Sequence, residues 1–233
     1  MRLIDLTLPA PEQQAGEPTC RLDEWHLKAG TLPYTAMVYH YRHNSMAGTY
    51  IDFPGHIKET DDGVDATTYP VEKLYRVPAA VIHLERASGS GRIGAQELAD
   101  ACPLGRDVSP RRPPPPESGR LGEASLPQEA GALILNALGR LRFDEIVERS
   151  VYLGKDAVEW IAARGFHLLV SDVFESNTDP QRVFNILFQR RVSTVCCPIN
   201  LHLVDQPVVK LTALPLRFVT ATQLPCRVVV ELE

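Results

Sequence analysis

Residues 45–56, SMAGTYIDFPGH, combine the features of a strand with those of a functional turn. Small residues lead into a short run of β-branched and aromatic residues, which favours an extended conformation. Asp52, Pro54 and His56 then occupy every second position, so an extended chain would place all three on one face. Glycine on either side permits close approach of the backbone, and proline fixes its own φ. The stretch therefore predicts a strand and a rigid turn that carry a carboxylate and an imidazole.

The rest of the chain alternates apolar runs of strand length with a few helical patterns. The runs AAVIHLE, GALILNAL and HLLVSDV have the length and composition of buried strands. GAQELADAC and GKDAVEWIAARG have helical spacing, and the second should bury Val158, Ile161 and Ala162 on one face. In DPQRVFNILFQR, Asp179 can cap a third helix whose first turn contains Pro180. The sequence therefore predicts a mixed α/β protein in which strands outnumber helices.

The composition excludes several classes of partner. Of the 233 residues, 44% are hydrophobic and 23% charged, as in ordinary globular proteins. The formal net charge of −5 provides no basic field for nucleic acid or an anionic membrane. No apolar run approaches the roughly 18 residues of a membrane span, and the N-terminus lacks the apolar core of a signal peptide. Five cysteines, an odd number, do not suggest a disulfide framework. We therefore expect a cytoplasmic protein without nucleic-acid or membrane partners.

Residues 108–127, VSPRRPPPPESGRLGEASLP, form the one low-complexity insert. Four consecutive prolines cannot join a sheet and favour an extended, solvated conformation. The insert is interpreted as a mobile surface loop, with a PxxP ligand for another protein as the alternative. No internal repeat or domain-sized change of composition accompanies it, so residues 1–233 are predicted to form a single domain.

Two residues of this stretch could take part in acid–base chemistry. Histidine is the side chain whose proton moves most easily near neutral pH, and Asp52 beside His56 could orient the ring or bind a cation. The alternative is a hydrogen-bonded histidine in an ordinary turn. Adjacent Cys196 and Cys197 could serve as a nucleophile, as metal ligands or as inert core residues.

Several stretches together carry a resemblance to a known family. They are RLIDLTLP, MAGTYIDFPGHI, DDGVDATTYPVEKLYRVPAAVIHL, GKDAVEWIAARGFHLLVSDVFESNTDP and VVKLTALPLRFVTATQLPCRVVVEL. In this order they resemble the kynurenine formamidase-like family, also called the putative cyclase family. The resemblance covers nearly the whole chain and implies an α/β fold with a central barrel-like, mostly β core and flanking helices. It also implies a homo-oligomer, a dimer or tetramer, whose sites lie near subunit interfaces.

The usual chemistry of this family is metal-assisted hydrolysis of an amide or lactone, and its signature is H-x-G-T-H-x-D-x-P-x-H. The first two histidines and the aspartate hold zinc or manganese together with a later histidine and glutamate, and the last histidine is the general acid/base. The aspartate corresponds to Asp52 and the last histidine to His56. The positions of the other four ligands are occupied by Met46, Tyr50, Phe184 and Cys196. The resemblance therefore implies a divergent member that retains one of the five usual metal ligands, whereas catalytic zinc generally needs three.

Three functions are compatible with these residues. In the first, the protein is a cyclase or lyase that needs no metal or other cofactor and acts on a small carbonyl compound. His56 is then the general acid/base, Asp52 fixes its tautomer or shares its proton, and Tyr50 donates a hydrogen bond to the carbonyl oxygen. The residues expected to contact the substrate are Met46, Thr49, Phe184 and Cys196. In the second, the chain is a non-catalytic pseudoenzyme that binds a small molecule or protein. In the third, it is a hydrolase with an altered metal site, where the soft donors Met46 and Cys196 hold copper.

Overall fold

The fold was analysed in a computed structural model, which describes residues 1–10, 13–14, 17–18, 20–86, 90–104, 130–146 and 149–233. Within these residues the strands are β1 (Arg2–Asp5), β2 (Gln13–Gln14), β3 (Glu17–Pro18), β4 (Cys20–Ala29), β5 (Leu32–Tyr41), β6 (Tyr50–Asp52), β7 (Val77–His83), β8 (Gly91–Ile93), β9 (Ala132–Asn136), β10 (Val151–Leu153), β11 (Leu168–Ser171), β12 (Ser193–Cys196), β13 (Val208–Pro215) and β14 (Gln223–Leu232). The helices are α1 (Ala95–Ala101), α2 (Lys155–Ala163) and α3 (Val183–Gln189). No helix in the described part of the chain is long and apolar enough to cross a membrane. The proline-rich insert, 108–127, lies outside the described residues.

Seven strands close into a barrel. Their order is β14-β13-β7-β9-β11-β12-β6, and the ring closes because β6 pairs with both β12 and β14. Strands β7, β9, β11 and β12 run parallel to one another, whereas the other neighbours in the ring are antiparallel. β1 pairs with β14 outside the ring. The barrel-like, mostly β core with flanking helices that the family resemblance implies is thus confirmed.

The apolar runs of the sequence are parallel strands that are buried on both faces. All five residues of β9 are buried. Ala132 and Ile134 belong to the cluster that fills the barrel, whereas Leu133 and Leu135 belong to the cluster beneath the helices. Ile161 of α2 packs in this outer cluster. A strand between two cores needs apolar residues at every position, which explains why GALILNAL shows no alternation.

The third helix begins later than the sequence predicts. α3 starts at Val183, after Arg182 in the left-handed conformation (φ 60°), so Asp179 is not its cap. Glu175 instead accepts hydrogen bonds from the backbone N–H groups of Gln181 and Val183, the latter at 2.7 Å. A carboxylate from the preceding loop therefore satisfies the backbone donors at the start of this helix.

The alternation of residues 45–56 ends at Asp52. Only Tyr50–Asp52 form the strand, and Pro54–His56 form a single turn of 3-10 helix. Proline lacks the N–H group that a further ladder hydrogen bond would need, so the chain turns there. Asp52 is consequently buried and His56 exposed, and the prediction that the two share one face of an extended strand is wrong.

Strands β4 and β5 form a hairpin, residues 20–41, that we call the arm. Its register runs from Cys20 opposite Tyr41 to Ala29 opposite Leu32, and neither strand pairs with a barrel strand in the described part of the chain. Its exposed apolar and aromatic residues are Leu22, Trp25, Leu27, Leu32, Tyr34, Met37, Tyr39 and Tyr41. An isolated two-stranded hairpin is only marginally stable in water, so this surface has the character of a contact region.

Gly48 places the start of β6 against the N-terminal segment, and Gly48→Ala should destabilise the protein. The residue has φ 67°, and a Cβ atom there would lie 2.5 Å from the carbonyl oxygen of Leu8. We expect a loss of about 2–5 kcal/mol in the free energy of unfolding, from about 1–2 for the left-handed backbone and about 1–3 for the clash. Urea denaturation measures this loss.

Gly63→Ala is the matched control for that substitution. Gly63 also has a positive φ, 77°, but beyond its chain neighbours no atom of the described residues lies within 4 Å of the place that a Cβ atom would take. In this variant the free energy of unfolding should fall only by the cost of the left-handed backbone, about 1–2 kcal/mol. Equal losses in the two variants would show that contact with Leu8 is not what requires glycine at position 48.

Candidate functional site

Asp52 lies at the point where three barrel strands meet. It is in register with Thr194 of β12 and Gln223 of β14, and its side chain is buried, with the residue only 3% exposed. The thiol of Cys196 donates to Oδ2 across 3.6 Å, whereas Oδ1 has no hydrogen-bond partner among the described residues. Burial raises the pKa of Asp52, although the nearby Gln223 amide and the charge of His56 act in the opposite direction. Asp52 is therefore a carboxyl group in a largely desolvated setting.

Tyr50 and two cysteines form a group of weak acids beside Asp52. Tyr50 of β6 lies directly opposite Cys196 in the register of the β6–β12 pair. Burial, followed by the proximity of Cys196, Cys197 and Asp52, raises the pKa of Tyr50, so its hydroxyl remains a donor at neutral pH. Burial also raises the pKa of the Cys196 thiol, and raises that of Cys197 to about 11. Both thiols are protonated near neutral pH, so a cysteine nucleophile would lack the thiolate it needs.

A cavity of about 250 Å³ opens at the ends of β11 and β12. Tyr50, Cys196 and Cys197 contribute to its wall. Its other side chains are mostly apolar, and they include the stacked rings of Phe174 and Phe184, whose centroids are 5.2 Å apart. The charged residues of the wall are Arg149, Asp172 and Glu175. The cavity therefore combines an aromatic surface with a few polar groups, as small-molecule sites usually do.

The structure brings three of the predicted site residues to this cavity, namely Tyr50, Phe184 and Cys196. His56 is exposed in the turn after β6, and Met46 is 54% exposed; neither belongs to the cavity wall. Thr49 is buried, and its hydroxyl accepts from the N–H of Leu8 at 2.7 Å and donates to the carbonyl of Cys197 at 2.8 Å. Thr49 thus holds the N-terminal segment to the strand ends, which is a structural contact.

Gln223 is a site residue that the sequence does not reveal. Its Nε2 lies 3.2 Å from Nε2 of His56, and its Oε1 accepts a hydrogen bond from the hydroxyl of Ser45. Gln223 and His56 are 167 residues apart in the chain. No local pattern marks Gln223, because its position depends on the pairing of β14 with β6.

Asp172 is a second site residue that was not predicted, although the sequence around it contains a pattern that could have marked it. It directly follows the buried strand β11 and accepts hydrogen bonds from the N–H groups of Ala137 and Leu138 at 2.9 and 3.1 Å. Burial raises its pKa to about 6, and these two hydrogen bonds act against that rise. A carboxylate after a strand of apolar residues is the pattern that could have identified it.

The residues present do not fit the divalent metal ion that the family resemblance implies. In the described part of the chain, no group of three or more His, Cys, Asp and Glu side chains is arranged to hold an ion. Asp52 offers an unpartnered oxygen and Cys196 a thiol, but the ring nitrogen Nε2 of His56 already contacts Gln223. A hard cation would find one carboxylate where catalytic sites generally supply three ligands.

Several solved structures share this fold. Isatin hydrolase A from Ralstonia solanacearum superposes with a TM-score of 0.66, at 18% sequence identity over 100% of this chain and 92% of that one. An isatin hydrolase bound to the product analogue thioisatinate gives a TM-score of 0.63, at 15% identity over 98% and 91% of the two chains. A predicted metal-dependent hydrolase from Bacillus stearothermophilus gives 0.60, at 17% identity over 98% and 97%. At such identities these similarities concern the fold alone.

The sequence itself identifies the family. No curated protein sequence matches the chain. The model of the family described as "Putative cyclase" matches residues 4–178, which is most of the chain and includes β6, the turn after it and β11. The chain therefore belongs to the putative cyclase family.

Proposed function

We propose that this protein is an enzyme of cyclase or lyase type that acts on a small carbonyl compound through acid/base chemistry of His56, without a catalytic metal ion. The donor set around Asp52 carries this proposal. Asp52 and His56 are present, but a thiol, a phenol and an amide surround the carboxyl group instead of further imidazoles. All three groups can donate hydrogen bonds, and only the thiol belongs to the usual zinc ligands of proteins.

Tyr50 would take the place of the metal ion as the group that polarises the carbonyl. Its hydroxyl stays protonated at neutral pH because burial raises its pKa, and the residue contributes to the cavity wall. A donor that is fixed in a partly desolvated pocket stabilises the negative charge that develops on a carbonyl oxygen. Ring closure, dehydration or proton transfer needs this stabilisation and does not need a metal-activated water.

The cavity supports a flat, aromatic carbonyl compound as the substrate. Phe143, Phe174 and Phe184 give it three aromatic rings, and Arg149 adds a positive charge at the wall. Stacking against such rings favours a flat ligand. A structural neighbour is an isatin hydrolase bound to the product analogue thioisatinate. Flat aromatic carbonyl compounds that can close a ring or lose water, analogues of isatinate among them, are therefore the first compounds to test.

A non-catalytic binding protein is the second candidate, and one observation favours it. His56 does not belong to the wall of the cavity that contains Tyr50 and Cys196. A ligand in that cavity could then bind without meeting the imidazole. Turnover of any compound that requires His56 would decide against this alternative.

Metal analysis tests the proposal directly. For protein purified without chelators, we expect well under one equivalent of zinc, manganese or copper per chain by elemental mass spectrometry. Prolonged dialysis against EDTA should leave turnover of such a carbonyl compound unchanged, because no step depends on an ion. One equivalent of a bound metal, whose removal abolishes turnover and whose return restores it, would contradict the proposal.

We further propose that the protein forms a homodimer through the arm. Its eight exposed apolar and aromatic residues are between 39% and 69% exposed. Covering them would bury on the order of 800 Å² per subunit, which is the contribution of each partner to a typical stable interface. A second copy of the chain can offer the same surface in return, as in a two-fold symmetric interface.

Light scattering at micromolar concentration should therefore give a mass of twice 25.8 kDa. Trp25 and Leu27 lie on one face of the arm, opposite Ala36 and Tyr34. A double substitution of Trp25 and Leu27 with glutamate should give monomers, because two charges would enter the interface of each subunit. Val71→Glu with Tyr75→Glu, at two exposed apolar positions outside the arm, is the control for added charge. A monomeric wild type would refute the proposed dimer.

A further inference from the structure

Gln223 connects the turn residue His56 to the buried carboxyl group of Asp52. It lies on β14 directly opposite Asp52 on β6, and it is only 9% exposed. Its Nε2 is 3.2 Å from Nε2 of His56, and its Oε1 accepts from the hydroxyl of Ser45. We infer that Gln223 is a positioning residue that determines which ring nitrogen of His56 carries the proton. The inference rests on the role proposed for His56 above.

The orientation of the Gln223 amide follows from its neighbours. Gln223 lies opposite Asp52, and its amide opposes the rise in the pKa of Asp52 that burial causes, as a donor near a carboxylate does. An exchange of the amide oxygen and nitrogen would turn Oε1 toward the oxygens of this carboxyl group, and two acceptors would then face each other. The carboxylate of Asp52, which can only accept, therefore fixes the NH2 group on the side that faces Asp52 and His56, with Oε1 on the side of Ser45.

This orientation decides the tautomer of His56. An amide NH2 group can only donate, so Nε2 of the neutral imidazole must accept, and the single ring proton is on Nδ1. Within the described part of the chain Nδ1 has no hydrogen-bond partner, and the residue is exposed. His56 therefore meets a carbonyl compound as a hydrogen-bond donor from Nδ1. From this tautomer His56 can give the Nδ1 proton to the compound as a general acid, which agrees with the acid/base role proposed for it.

Nitrogen NMR of the full chain labelled with 15N-histidine tests this inference without any substrate. Long-range proton–nitrogen correlations distinguish protonated from unprotonated ring nitrogens, and His56→Ala identifies the resonances of His56. At a pH where the ring is neutral, we expect the wild type to show an unprotonated Nε2 and a protonated Nδ1. Gln223→Met keeps the length of the side chain and removes the donor. The proton should then move to Nε2, the form that an unconstrained histidine side chain prefers.

Gln206→Met is the matched control, because Gln206 pairs with Glu233 at the C-terminus and does not contact His56. It should leave both His56 nitrogen resonances where they are in the wild type. Gln223→Leu serves as a second variant with the same expected shift. A protonated Nε2 in the wild type, or an unchanged tautomer in Gln223→Met, would overturn the inference. Failure of the proposed function would be recognised by a different result. A His56→Ala protein that kept its activity would refute the catalytic role of His56, whereas the tautomer measured in the wild type would still stand.

Discussion

His56→Ala is expected to lower turnover by roughly 10²–10⁴-fold, the usual contribution of general acid–base catalysis. His56 is exposed in the turn after β6, and its side chain fills no part of the two cores. Its removal should therefore leave the free energy of unfolding nearly unchanged. Steady-state kinetics with a carbonyl compound that the wild type converts, together with urea denaturation, separates the two effects.

His43→Ala is the control for a general effect of removing an imidazole near this turn. His43 is exposed and bonds only locally, with Nδ1 2.8 Å from the carbonyl oxygen of Asn44. Its loss should leave turnover within about twofold, as expected for surface substitutions away from a site. If His56→Ala kept full activity on a true substrate, the metal-free catalyst would be excluded in favour of the binding protein.

Tyr50→Phe is expected to reduce turnover by about 10²–10³-fold at most, which is the effect of removing one donor to a developing oxyanion. Phenylalanine keeps the ring beside Cys196, so the packing of the cavity wall is preserved and only the hydroxyl is lost. The loss should appear in kcat more than in KM, because the donor acts most strongly in the transition state.

Tyr152→Phe removes a comparable hydroxyl from outside the cavity. That hydroxyl donates to Asp179 at 2.7 Å, and Tyr152 does not belong to the cavity wall. Turnover should stay near that of the wild type. Equal losses in the two variants, or a Tyr50→Phe protein with unchanged kcat, would show that the Tyr50 hydroxyl does not polarise the substrate.

The sequence predicts most of the elements because their signals are local. β9 and β11 coincide with GALILNAL and HLLVSDV, and α1 and α2 coincide with the two helical patterns before the site. Burial on both faces requires continuous apolar runs, and one exposed face produces helical spacing. The predicted start of α3 is wrong, because the acceptor for its first N–H groups comes from Glu175, outside the helix.

In the candidate site, too, some features have local signals in the sequence and others depend on contacts between distant residues. Asp52 and His56 are close in sequence and carry recognisable chemistry, so the sequence by itself marks them as candidates and, through the family signature, determines the family. Their surroundings depend on contacts between distant residues: Cys196 reaches Asp52 across 144 positions, and Gln223 reaches His56 across 167. Those contacts exist because β6 pairs with β12 and β14 to close the barrel.

The sequence alone thus determined most of the barrel strands and the family, and it marked Asp52 and His56 as candidate site residues. Only the tertiary structure decided that Asp52 is buried, that Tyr50 and Cys196 line a cavity, and that His56 lies outside it. The physical reason is that desolvation and strand register arise when the barrel closes. A residue's pKa, its hydrogen-bond partner and its access to a ligand follow from that closure, and no local pattern contains them.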